Sequence, residues 1–198
     1  MGLLGMFVRK LCAEFLGRKW NIPDPYNAVV FLALHCLCVF APFHFNWPAF
    51  WVAITLYVVT GLGITLCYHR SLAHRSLRLP KWLEYFFAYC GVLSFQGSPI
   101  EWVSTHRYHH QFTDTKKDPH SPIQSLWFSH MGWLLDGRRG QFEEELGGLK
   151  NVEDLRKQPF YRFLLRTNLL HAIALGGVLY AVGGFPFLVW GLVRSLTR

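Results

Sequence analysis

Ten histidines stand among 198 residues, and five of them fall into two groups with metal-ligand spacing. His69 and His74 form an H-x4-H pair; His106, His109 and His110 form H-x2-H-H. Neutral imidazole binds iron, zinc, copper or nickel, and it is available near pH 7. On an α-helix, positions i, i+3 and i+4 share a face, so His106, His109 and His110 can point to one locus. His69 and His74 are five apart, about 140° of rotation on an ideal helix. Rings so placed do not easily bind one ion together, but each can serve one ion of a pair. One such pair is a weak motif; two groups in one short chain, just beyond a long apolar block, are a strong one. The remaining histidines read as structural. His35 lies in an apolar stretch and His44 in a turn, His130 and His171 stand alone, and His120 belongs to an Asp118-Pro119-His120 loop.

The elements that must position these residues are apolar helices. Pro25 to His69 contains no Asp, Glu, Lys or Arg, and at about 20 residues per membrane span that stretch holds two. The expected spans are 26–43 and 48–67, joined by a turn at 42–48 where Pro42, Asn46 and Pro48 interrupt the helix and Trp47 can anchor at an interface. The stretch 82–96 is too short to cross and suits an interfacial or re-entrant helix. Ser98-Pro99-Ile100-Glu101 reads as a helix start: a capping serine, a proline at the first helical position, and a glutamate that reaches back. A polar segment from Lys116 to Arg162 follows, in which Glu143, Glu144 and Glu145 read as a solvated loop. A third span is expected at 163–182, a turn at Gly183-Gly184-Phe185-Pro186, and the start of a fourth span at 187–193.

Composition agrees. Charged residues are 16% of the chain, where soluble domains carry about 25%. This excludes disorder and disfavours an ordinary soluble domain. The formal charge of +8 is distributed in blocks: Arg9, Lys10, Arg18 and Lys19 precede the apolar stretch, none lies between Trp20 and His69, and most of the rest fall between His69 and Arg162. Such blocks are the positive-inside pattern of loops that flank membrane spans, which puts the histidines on the cytosolic side. No zinc-finger spacing or RNA-binding signature appears, so nucleic acid is not an expected partner. Arg70, Arg75, Arg78 and Lys81 read first as topology determinants beside anionic lipid, and second as contacts for acyl-head phosphates. The five cysteines lack CxxC spacing and read as buried, reduced residues. The expected fold is all-α: one integral membrane helical bundle over 1–198, with three spans, a partial fourth and cytosolic histidine-box helices.

Two segments resemble a known family. His69-Arg-Ser-Leu-Ala-His74 and Glu101-Trp-Val-Ser-Thr-His106-Arg-Tyr-His-His110 are similar to the first two histidine boxes of membrane fatty-acid desaturases. The neighbours fit: Gly61-Leu-Gly-Ile-Thr65 before the first box, and Asp118-Pro-His-Ser-Pro122 and Phe128-Ser-His-Met-Gly-Trp133 after the second. The phrasing is most similar to plant delta-9 acyl-lipid and acyl-CoA types, from about Trp20 to Trp190. The resemblance implies a di-iron centre with His69, His74, His106, His109 and His110 as iron ligands. It implies an O2-dependent cis double bond, placed in an acyl-CoA or acyl-lipid chain. Electrons would come from cytochrome b5 or ferredoxin, in an endoplasmic reticulum membrane or, alternatively, a plastid one. The family's third H-x2-H-H and an additional ligand ahead of it have no counterpart here, so a C-terminally truncated, incomplete centre is expected. A second reading is an inactive membrane protein that binds lipid or associates with a full-length desaturase. A metal transporter ranks behind both, since transporters place ligands near the bilayer midplane.

Overall fold

The computed structural model describes residues 23–135 and 148–196, together with residues 5, 6 and 9. Lys10, Cys12, Arg18, Lys19 and the Glu143–Glu145 run lie outside the described residues. Among the described residues, every regular element is helical.

Helix α1 spans Pro23–Val39, 17 residues, at the short end of the range for a membrane span. A 3-10 turn at Ala41–His44 follows. Asn46 then caps α2, Trp47–Leu62: its Oδ1 accepts the Ala49 N–H at 2.8 Å, with proline in the first turn. The turn anticipated at 42–48 is therefore present, built by the residues that signalled it.

The chain does not stop at Leu62. It runs on as a π-helical segment, Gly63–Ala73, so that Trp47–Ala73 is one continuous apolar rod of 27 residues. Helix α3 is Lys81–Val92, 12 residues and too short to cross. Helix α4, Pro99–Phe112, begins at the expected capping box. The Ser98 N–H donates to Glu101 Oε2 at 3.0 Å, and the Glu101 N–H returns a bond to Ser98 Oγ at 3.3 Å. Short helices follow: α5 Leu126–His130, and α6 Glu153–Arg156 after a 3-10 turn at Gly148–Val152. Helix α7 covers Pro159–Leu196, but Gly184 breaks it with φ 64° and ψ −158°, a conformation open to glycine, and Pro186 follows inside. The break falls where the Gly-Gly-Phe-Pro turn was expected.

Two rods, Trp47–Ala73 and Pro159–Val193, are long and apolar enough to cross a membrane. Only 28% and 17% of their most apolar stretches are buried inside the protein, which is unlike the core helix of a soluble domain. Exposed Trp51, Ile54, Val58, Leu170 and Ile173 lie on these rods. Three spans and a partial fourth were expected; among the described residues two helices meet the length and apolarity of a span, and α1, at 17 residues, is borderline.

The chain divides into two compact units: residues 1–31 with 108–146, and residues 32–107 with 147–198. The division falls within α4. The second unit contains the core, where Ile64, Tyr68 and Leu72 of the π segment meet Ala88 and Val92 of α3, Ile100 and Val103 of α4, and Tyr161 and Leu164 of α7. At Gly63 the π segment meets the backbone of α3 directly. A Cβ built on Gly63 would lie 2.3 Å from the Gly91 nitrogen, and one on Gly91 would lie 2.6 Å from the Tyr68 ring. The cysteine reading holds in part. Cys67 and Cys90 are buried and free, whereas Cys36 is exposed on α1.

Candidate metal centre

The π segment corrects the geometry expected of the first histidine pair. A π-helix closes i→i+5 rather than i→i+4, and here the His74 N–H donates to the His69 carbonyl at 2.9 Å. Residues five apart are therefore brought together instead of lying 140° apart. The Nε2 atoms of His69 and His74 are 3.1 Å apart. The pair is joined by His106 of α4, whose Nε2 lies 3.2 Å from that of His74. The His69 and His106 ring centroids are 4.8 Å apart.

These distances suit one metal ion. Nitrogen ligands at about 2.0–2.1 Å, separated by angles between octahedral and tetrahedral values, lie about 2.8–3.4 Å from each other. His74 Nε2 stands at that spacing from both His69 and His106, and imidazole nitrogens so grouped are a fitting donor set for a first-row transition metal.

Around the three rings, the second unit supplies a fixed frame. The Trp102 indole stacks on His106, with centroids 4.8 Å apart and planes 22° from parallel, and its N–H donates to Gln96 at 3.1 Å. Arg107 ties three elements together. Its guanidinium makes two parallel bonds to Asp154, each 2.9 Å, donates to the Leu72 carbonyl at 2.7 Å, and donates to the Asn151 carbonyl. Leu72 lies between His69 and His74, so one side chain joins the first box, the second box and α6. Asn151 exchanges two bonds with Ser104, at 2.7 and 2.9 Å. Arg75 adds a 2.9 Å ion pair to Asp154. Burial alone would raise the Asp154 pKa, but hydrogen bonding and charge from Arg107 and Arg75 outweigh it and hold the carboxyl below its ordinary value. Arg75, one of the residues considered for phosphate contact, is thus engaged within the protein. So is Lys81, which pairs with the buried Glu84 at 2.7 Å. Tyr161 donates to the same Glu84 oxygen at 2.6 Å.

In the first unit, His109 and His110 present adjacent rings with centroids 5.3 Å apart. His109 Nδ1 lies 2.9 Å from Asp118 Oδ1. The His120 ring is 4.2 Å from that of His109, centroid to centroid. His109, Asp118 and His120 form a second group of potential ligands. Burial alone would raise the Asp118 pKa, yet bonds from His109 and from the backbone N–H groups of His120 and Asp114 lower it overall. His120, read from sequence as a loop residue, is part of this second group; His130 and His171 are in neither.

The sequence profile of the fatty acid desaturase family matches residues 15–196. The chain belongs to the fatty acid desaturase family. It is 57% identical over 175 residues to Delta-9 acyl-lipid desaturase 1 of Arabidopsis thaliana, covering 88% of this chain and 57% of that one. It is 57% identical over 181 residues to Icosanoyl-CoA 5-desaturase of Limnanthes douglasii, covering 90% and 50%. It is 56% identical over 176 residues to the chloroplastic Palmitoyl-monogalactosyldiacylglycerol delta-7 desaturase of Arabidopsis thaliana, covering 88% and 47%. This desaturase-family chain therefore spans about half the length of the curated relatives it matches. At nearly equal identity, those relatives' names cite three different bond positions and both CoA-linked and lipid-linked substrates.

Sequence reasoning on this desaturase-family chain singled out the five histidines but not the residues that pack around them. Trp102 carried a local signal, an aromatic four residues before His106 on one helix face. Arg107 with Asp154 carried none, because 47 positions separate them.

Proposed function

We propose that this chain is the histidine-box portion of an O2-dependent acyl desaturase that introduces a cis double bond, of delta-9 type, into an acyl-CoA or acyl-lipid chain. His69, His74, His106, His109 and His110 serve as iron ligands in a di-iron centre. The observation that carries the reading is that His74 Nε2 lies at metal-ligand spacing from the Nε2 atoms of both His69, in its own box, and His106, 32 residues away in the other. For His109 and His110 the support is their spacing from His106 on one helix and the family. Cytochrome b5 or ferredoxin is the proposed electron donor, in the endoplasmic reticulum membrane or alternatively a plastid one.

Bound iron would supply the oxidising power that activates O2 toward an unreactive C–H bond. The protein's own contribution is positional. Trp102 fixes the plane of the His106 ring, and Arg107 fixes the first box against the second. The apolar rod that carries His69 suits an acyl chain that approaches from the bilayer. The competing reading is an inactive membrane protein that binds lipid or pairs with a longer desaturase.

Expression in desaturase-deficient yeast separates the two. Iron in the purified chain and a new monoene in the fatty-acid profile are expected. Iron-free protein with an unchanged profile, co-purifying with an intact desaturase, would favour the competing reading.

A further inference from the structure

Helix α4 ends at Phe112, and the chain then doubles back. Asp114 adopts φ 56°, the left-handed conformation that Asp tolerates better than most residues. The reversal brings Asp118 underneath the helix terminus. The carboxylate is fully buried, with no side-chain exposure. Its Oδ1 faces His109 Nδ1 at 2.9 Å and accepts the His120 N–H at 3.1 Å, and its Oδ2 accepts the Asp114 N–H at 3.1 Å.

A carboxylate offers about four lone-pair sites. Three are occupied by these bonds, and Oδ1, the oxygen nearest both rings, has both of its sites used. Asp118 is thus poorly placed to be a ligand itself. The 2.9 Å contact holds the Nδ1 edge of the His109 ring against Asp118. Nε2, on the opposite side of the ring, is directed away from Asp118.

We propose that Asp118 is the positioning residue of the second histidine box: it holds the ring orientation of His109, so that Nε2 is the atom turned toward the metal. The inference rests on the reading of His109 as a ligand. Carboxylate partners of ligating histidines generally raise ligand basicity and lock the ring, and their removal costs about 10–100-fold in metal affinity. The two backbone bonds give Asp118 its own fixed position, so that it acts as an anchor rather than following the ring.

The test is a cobalt(II) titration of the full chain in detergent, read by visible absorption, with helicity followed by circular dichroism. Cobalt(II) reports ligation independently of turnover. Asp118→Ala is expected to weaken cobalt binding about 10–100-fold. Asp118→Asn keeps an oxygen that can accept from Nδ1–H, so it is expected to recover part of that loss. In a His109→Gln background, Asp118→Ala should have no further effect. Equal weakening in both backgrounds would overturn the proposal, since Asp118 would then be holding the loop and not the ring. Unchanged affinity in the folded Asp118→Ala protein would also overturn it. If Asp118→Ala does not fold, Asp118→Asn in the two backgrounds carries the same comparison. Failure of the wild-type chain to bind cobalt would instead remove the metal centre itself, and this inference with it.

Discussion

At the scale of single residues, the first histidine pair, His106, and the Arg107–Asp154 contact decide what the site can do. His74 is central, because its Nε2 lies within 3.2 Å of both His69 and His106. His74→Gln is expected to abolish cobalt or iron loading while leaving helicity unchanged; metal analysis of the purified variant checks this. Arg107→Lys keeps the charge but loses the fork that grips Asp154 and Leu72 together. A loss of about 1.5–3 kcal/mol in unfolding free energy is expected, measured by denaturation in micelles. Asp154 also gives a pH dependence. Its folded pKa is depressed, so its stabilising contribution is present above the ordinary carboxylate value and is lost as pH falls through the folded value. The stability difference between wild type and Asp154→Asn should therefore be full at neutral pH and shrink below about pH 4. A difference that stays constant down to pH 2 would argue against the ion pair.

At the scale of elements, the decisive one is the π segment. Its i→i+5 closure makes a five-residue spacing equivalent to a shared face. Inserting one alanine between Arg70 and Ser71 should separate His69 from His74 and abolish metal binding with little change in helix content. The segment also needs Gly63, whose Cα hydrogen faces the Gly91 backbone. Gly63→Ala drives a methyl group into main chain that cannot step aside, and a loss of about 1–3 kcal/mol is expected from overpacking. A lowered Tm for the variant would show it. These elements also show how far the sequence was readable. The capping box at Ser98 and the Asn46 turn were legible, because each is a local bond between residues three apart. The π register was not, because the reading assumed an ideal helix and so placed His69 and His74 on different faces. Asp118 reads from sequence only as part of a loop and a family-like segment; its contact with His109 was not legible, because it depends on a left-handed Asp114 and a chain reversal, and neither leaves a periodic trace.

At the scale of the whole molecule, two long rods leave most of their apolar surface uncovered by protein. Hydrocarbon is the environment that such a surface suits. The chain is expected to stay in the membrane pellet after alkaline carbonate extraction. Ile173, 62% exposed on α7, offers a sharper test. Arginine near the centre of a span costs about 2.5–3.5 kcal/mol of insertion free energy. Ile173→Arg should therefore reduce the inserted fraction in a glycosylation-mapping assay, whereas on a water-facing surface it would be neutral. The charge-free stretches made this membrane character plain from sequence. The number of spans was less plain, since apolar length alone did not distinguish a 27-residue rod that ends in a π segment from an ordinary span.

The stacked indole of Trp102 gives the site an optical property. Its ring lies 4.8 Å from that of His106, well inside the range at which an open-shell ion on the imidazole would quench an excited indole. The chain has eight tryptophans, so most of the emission would be unaffected and a single fraction would darken as the ion arrives. That fraction would vanish in Trp102→Phe. Occupancy could then be followed by the protein's own luminescence, without a label and without turnover.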